Sequence, residues 1–150
     1  MIKTLTHLPH PVENAAALAG HFTDLAPPLN DRQAHLEASR CLYCYDAPCV
    51  NACPSEIDIP SFIRNIHQDN VQGAAQKILS ANILGGSCAR VCPTEILCQQ
   101  ACVRNNAHEC APVLIGLLQR YAVDNAHFSQ HPFSRAAATG KRIAVVGAGP

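Results

Sequence analysis

Two runs of cysteine constrain this chain more than any other feature. The first is Cys41-x2-Cys44-x4-Cys49-x3-Cys53-Pro54 and the second Cys88-x3-Cys92-Pro93-x4-Cys98-x3-Cys102, with Cys110 standing apart. Short gaps let a loop wrap a compact centre, each sulfur reaching a different iron. A lone Cys-x2-Cys says little. Four close cysteines ending in Cys-Pro parallel the bacterial run that holds [4Fe–4S] clusters, and the repetition predicts two of them. Structural zinc is the competing chemistry, because four cysteines also make a tetrahedral zinc site. Zinc ligands usually arrive as two pairs separated by a longer finger or knuckle, whereas three short gaps follow one another here. Order along the chain leaves the division of ligands open. Each run can serve its own cluster, or its last cysteine can cross to the other, as in two-cluster ferredoxins. Cys88 and Cys110 can each be a plain buried thiol.

Compartment follows from the same residues. Nine cysteines could pair as disulfides in an exported protein, but an odd count fits that poorly. The opening residues Met1–Pro9 have neither the apolar segment nor the small-residue cleavage site of an export signal. Nor is any stretch long and apolar enough to cross a bilayer. The expectation is a cytoplasmic chain whose reduced thiols serve metal or redox chemistry. Its 150 residues suffice for one domain with a real core. Eleven basic and eleven acidic residues balance, so nothing marks the chain for nucleic acid or an anionic membrane. The eight histidines are scattered without metal-ligand spacing.

The pattern between the runs is helical. Residues 1–29 carry Pro9, Pro11, Pro27 and Pro28 and read as an extended arm, with a short helix around Val12–Ala19. Asn30 can cap a helix over Asp31–Arg40 that delivers the chain to Cys41. Cys41–Pro60 reads as loop. Pro60 opens a helix with Phe62, Ile63 and Ile66 on one side, and Asn70 caps another bearing Val71, Ala74, Ala75, Ile78 and Leu79, stopped by Gly85-Gly86. Pro112 suits the first position of a helix running to about Phe128. The fold class is therefore all-α over 30–128. A polar linker follows at 129–140, and 141–150 change character to a buried strand entering a glycine turn.

On the helix after Pro112, Ile115, Gly116, Gln119, Ala122 and Val123 share one face at 100° per residue. Gln119 is the polar exception there. Leu114, Leu117, Leu118 and Tyr121 form a second apolar side, and Arg120 and Asp124 a narrow wet strip. A buried Gln needs a partner. That partner can be a backbone group, or something bulky admitted by Gly116 one turn earlier.

Cys41-Leu-Tyr-Cys44-Tyr-Asp-Ala-Pro-Cys49-Val-Asn-Ala-Cys53-Pro54, with Cys88-Ala-Arg-Val-Cys92-Pro-Thr-Glu-Ile-Leu-Cys98-Gln-Gln-Ala-Cys102, closely resembles the N-terminal domain of dihydropyrimidine dehydrogenases. The FAD-containing bacterial subunit is the nearer match, and the glutamate synthase small subunit shares the layout. The resemblance covers about residues 27–128 and the terminal strand. It implies an α-helical ferredoxin-like domain with two [4Fe–4S] clusters. One would be held by Cys41, Cys44, Cys49 and Cys102. The other would be held by Cys53, Cys92, Cys98 and Gln119, with Cys88 a non-ligand. The long Cys92-x5-Cys98 gap and Gln rather than Glu at 119 favour the pyrimidine branch. Extra length between Cys102 and Gln119, where Cys110 sits, departs from its pattern.

Val146-Gly147-Ala148-Gly149-Pro150 resembles the first turn of an FAD-binding Rossmann domain, whose glycines admit a pyrophosphate. Two glycines alone fit a plain strand-turn equally well. The third would fall beyond residue 150, so the chain reads as stopping just inside a flavin domain, where Gly147 and Gly149 could not bind FAD unaided. The resemblance implies electrons moving from NADH or NADPH through FAD and the clusters to an FMN-containing catalytic subunit or domain that reduces a pyrimidine. The fragment would supply the wire and no catalytic acid or base.

Overall fold

A helix begins most readily where a short polar side chain takes over a free backbone N–H. Asn30 accepts from the Gln33 N–H at 2.9 Å while the Gln33 side chain accepts from the Asn30 N–H at 3.0 Å. This capping box opens α1, Asp31–Ser39. After the short α2, Pro48–Asn51, Asp58 caps α3, Ile59–His67, and Asn70 caps α4, Val71–Ala81. Then come α5, Gly85–Val91, two 3-10 turns at Thr94–Ile96 and Val103–Asn106, and α6, Ile115–Asn125. This computed structural model describes residues 20, 24, 26–106, 111–144 and 146–147, and no strand occurs among them. The expected helix at Val12–Ala19, Cys110 and Gly149 lie outside the described residues.

Four boundaries differ from the sequence pattern. The Cys41–Pro60 stretch is not all loop, because α2 occupies one turn of it. α3 starts at Ile59, one residue before Pro60, whose missing N–H falls among those that have no helical partner. Gly85-Gly86 do not stop α4, which ends at Ala81 before an extended Asn82; the glycines instead open α5. A Cβ on Gly85 would lie 2.5 Å from Ile78 Cγ2, so only glycine lets α5 start this close to α4. Pro112 stays outside α6. Arg40 of the α1 terminus donates to the Ala111 and Pro112 carbonyls, and Glu37 accepts from the Leu114 N–H at 2.9 Å. These bonds tie 111–114 to α1, and the chain turns at Leu114, where the Ile115 N–H bonds the Val113 carbonyl at 2.8 Å, so the helix begins only at Ile115.

Burial follows the helical periodicity. α3 contributes Ile59, Phe62, Ile63 and Ile66 to the core, α4 contributes Ala74, Ala75 and Ile78, and α6 contributes Ile115, Leu118, Tyr121 and Ala122. Ala34 and Ala38 close it from α1. The many alanines bring the helix axes together, which a chain with few aromatic residues needs to exclude water. α6 packs against α1, α3, α4 and α5, so it is buried on two sides. Its wet strip is ion-paired: Arg120 reaches Asp24 at 2.8 Å and Asp124 at 3.4 Å, and Arg90 Nη2 lies within hydrogen-bond distance of both Asp124 oxygens.

Beyond α6 the described residues 141–144 and 146–147 form no strand, and Ile143 and Val146 are exposed. A strand requires a neighbour to complete its backbone hydrogen bonds, and none of the described residues supplies one. Gly147 has φ +121°, where a side chain would be strained.

Phe62 is fully buried at the centre of α3. Phe62→Ala is expected to lower the unfolding free energy by about 3–5 kcal/mol, read from denaturant midpoints.

Candidate metal centres

The two cysteine segments enclose two cavities against the ends of α3 and α6. The first holds about 390 Å³ of space, part of it open to solvent, and is lined by Cys41, Cys44, Cys49 and Cys102 with Ile59, Ile63, Val113 and Ile115. The second holds about 470 Å³ and is lined by Cys53, Cys88, Cys92, Cys98 and Gln119 with Ile57, Ile59 and Leu97. Ile59 faces both.

Local structure explains this grouping. Cys41 leaves the end of α1, its N–H still bonded to the Ala38 carbonyl at 3.1 Å. Tyr43 and Ala47 then take left-handed conformations, φ 51° and 36°, that curl the loop back. Tyr43 is fastened there by the Arg64 guanidinium 4.7 Å above its ring and by a hydroxyl contact to His67 Nδ1 at 3.3 Å. Cys49 and Cys53 stand four residues apart across α2, and Cys98 and Cys102 stand four apart across the turns after Thr94. In each pair one thiol lines the first cavity and the other the second. Cys88 and Cys92, also four apart, both line the second.

The electrostatics divide the thiols in the same way. Burial pushes Cys49 up to about 11, helped by Cys41 and Cys102. Burial pushes Cys98 up to about 12, helped by Cys53 and Cys92, with a smaller contribution from Cys49 across the wall. Burial also raises Cys41, with Cys44 and Cys102 adding to it, and raises Cys92, with Cys88 and Cys53 adding. Thiols crowded in apolar surroundings resist ionisation unless a cation arrives to compensate them.

Gln119 is 7% exposed and is the buried polar side chain of the described core. Its Nε2 donates to the Gly85 carbonyl at 2.8 Å, so a backbone partner exists for the nitrogen. A carbonyl only accepts, which fixes the amide orientation. No hydrogen bond engages Oε1 among the described residues, which leaves an oxygen donor on the wall of the second cavity. What approaches Gly116 is Thr94, whose Cγ2 would lie 3.1 Å from an added Cβ. Thr94 bonds Gln99 at 2.7 Å, so Gly116 lets α6 seat directly on the second cysteine segment. The shared wall residue Ile59 and the packing partners Thr94 and Gln99 carry no sequence signal of a site role. Of the expected flavin glycines, Gly147 lies in the exposed tail, away from both cavities.

The donors on both cavity walls are soft thiolates, joined in the second by an amide side chain. Such thiolate-rich donor sets are the chemistry of iron–sulfur centres.

A helical body carrying such cavities is an iron–sulfur domain in architecture and donor chemistry. Residues 18–131 match the family described as dihydropyrimidine dehydrogenase domain II, 4Fe-4S cluster, and the chain belongs to that family. It is 44% identical over 131 residues to the NAD-dependent dihydropyrimidine dehydrogenase subunit PreT of Escherichia coli (strain K12), covering 87% of this chain and 31% of that one. The homolog of that subunit in Salmonella typhi is 42% identical with the same coverage. The glutamate synthase [NADPH] small chain of Escherichia coli (strain K12) is 34% identical, covering 86% of this chain and 27% of that one. The chain thus spans about a third of the length of these curated relatives. No helix among the described residues is long and apolar enough to cross a membrane.

Metal uptake must strip protons from these thiols. Loading from limiting iron and sulfide is expected to increase from about pH 7 to about pH 9, measured by bound iron, because raised thiols hold their protons against the metal. The metal-free protein should show the opposite trend at higher pH. Neutral Cys49 and Cys98 favour the fold below the ordinary value of 9.0, and that contribution is lost as pH rises through about 11 and about 12. A urea midpoint that climbed across that range would contradict the assignment.

Proposed function

We propose that this chain is the electron-transfer module of an NAD(P)H-dependent flavin oxidoreductase, carrying electrons from FAD through two [4Fe–4S] clusters toward pyrimidine reduction. The single observation behind it is the partition of nine donors between two cavities sharing one wall, Cys41, Cys44, Cys49 and Cys102 on one side and Cys53, Cys92, Cys98 and Gln119, with Cys88 beside them, on the other. That is the crossed division the family resemblance implies. Bound clusters supply one-electron redox chemistry. Everything else is done by the polypeptide.

Ile59, Ile63, Val113 and Ile115 exclude water from the first site, and Ile57, Ile59 and Leu97 line the second. Apolar walls disfavour the more negative, reduced state and so lower the potential. Gln119 acts in the opposite sense, since a neutral amide oxygen leaves the second shell one unit less negative than four thiolates would. On this reading the fragment supplies the wire and no catalytic acid or base. The FMN-containing catalytic partner, the FAD site begun by Gly147 and Gly149, the NAD(P)H supply and a cytoplasmic setting all belong to this proposal. The similarity to a glutamate synthase small chain supports a second reading, the same module with another acceptor. Assays of the full-length protein with pyrimidine and glutamate synthase partners separate the two.

Anaerobic preparation should yield a brown protein with about eight irons and matching sulfide. A colourless protein with stoichiometric zinc would instead establish a zinc-stapled interaction domain. Gln119→Cys is expected to lower the potential of one cluster or hinder its assembly. An unchanged potential in voltammetry, with the electron paramagnetic resonance signal unaltered, would remove Gln119 from the ligand set.

A further inference from the structure

The second cavity has one donor too many. Cys53, Cys92, Cys98 and Gln119 already account for four irons, yet Cys88 lines the same cavity, and its thiol is close enough to act electrostatically on Cys92. Cys88 sits on α5 one helical turn before Cys92, whose N–H bonds the Cys88 carbonyl at 2.9 Å. The first cavity shows no such excess, with four thiols for four irons.

Cys88 is also held. Asn82, in the extended link between α4 and α5, accepts from the Leu84 N–H through Oδ1 at 3.0 Å. That bond settles the orientation of its amide and turns Nδ2 toward Cys88 Sγ at 3.2 Å and Ser55 Oγ at 3.4 Å. Gln119, for its part, is tied through Nε2 to Gly85, the first residue of the helix that carries Cys88. The two candidate fourth ligands are thus anchored to one short element. Of the two, a thiolate is much the stronger donor for iron in a cluster.

We propose that Cys88 is a reserve ligand of the second cluster, completing its shell when Gln119 does not. The exchange breaks the iron bond to Gln119 Oε1, forms one to Cys88 Sγ and releases the thiol proton to solvent. No electron moves. The shell becomes one unit more negative, so the cluster has two settings of potential selected by which side chain is bound. This rests on the reading of Gln119 as the resident ligand.

The test compares wild type, Cys88→Ala, Gln119→Leu and the double variant in the full chain, reconstituted anaerobically. Iron content, cluster potential and alkylation of Cys88 by iodoacetamide, located by mass spectrometry, are measured. Wild type and Cys88→Ala should both bind about eight irons. Gln119→Leu should also bind about eight, at a lower potential and with Cys88 protected from alkylation, while the double variant drops to about four. Loss of one cluster in Gln119→Leu alone, or its retention with Cys88 freely alkylated, overturns the reserve role. Loss of one cluster in Cys88→Ala, with Gln119→Leu unchanged in potential, would show Cys88 to be the resident ligand and overturn the reading of Gln119 itself. Asn82→Ala leaves Gln119 in place and guards against misfolding of the Leu variant. It should add a lower-potential population that Cys88→Ala abolishes, and a single unshifted potential counts against the proposal.

Discussion

Ile59 stands in the wall of both cysteine cavities, with four thiols lining the space on one side of it and four on the other. It is the first residue of α3, capped by Asp58 and 2% exposed, wedged between the two metal segments and the helical core. Two of the three four-residue steps between cysteines cross this wall, while Cys88 and Cys92 stay on one side of it. Cys49 on α2 and Cys53 just past its end straddle it, and Cys98 and Cys102 straddle it again on the second segment. The interleaving of the thiols thus follows from two short segments that each pass from one side of a shared wall to the other. It also ties the two sites into one unit, since neither can form without both segments seated on α3.

The second site depends on a further chain of contacts. Ile78 of α4 meets α5 where only glycine fits, the Gly85 carbonyl takes the Gln119 nitrogen, and Gly116 seats α6 against Thr94. Each contact fixes the next. Buried thiols oppose this arrangement while they are metal-free, because apolar walls and neighbouring sulfurs both resist their ionisation. Metal binding relieves that cost, so loading and folding are thermodynamically coupled. The outer ion pairs, such as Arg120 with Asp24, join a largely covered guanidinium to a solvent-exposed carboxylate and contribute orientation more than stability.

The cysteine spacings alone called for iron–sulfur chemistry, because few other purposes place four thiols so closely and twice over. The helices of the core were equally legible. Asn30 and Asn70 are capping residues by chemistry, and the apolar faces of α3 and α4 recur at helical spacing, while the Asp58 cap of α3 emerged only in the structure. Gln119 stood out as a polar residue on an apolar face. The boundaries at Gly85 and Pro112 were not legible, since both glycine and proline have local meanings that long-range contacts overrode: Ile78 against one, Arg40 and Glu37 against the other.

By itself the sequence determined which atoms can bind metal and that the surrounding body is helical, since ligand chemistry and helical periodicity are local properties of the residues. Only the tertiary structure decided how those donors divide. Whether Cys53 faces Cys49 or Cys98, and whether Cys88 stands inside or outside a site, depends on where α3 and α6 place a wall between segments distant in sequence. Local spacing carries no information about that wall.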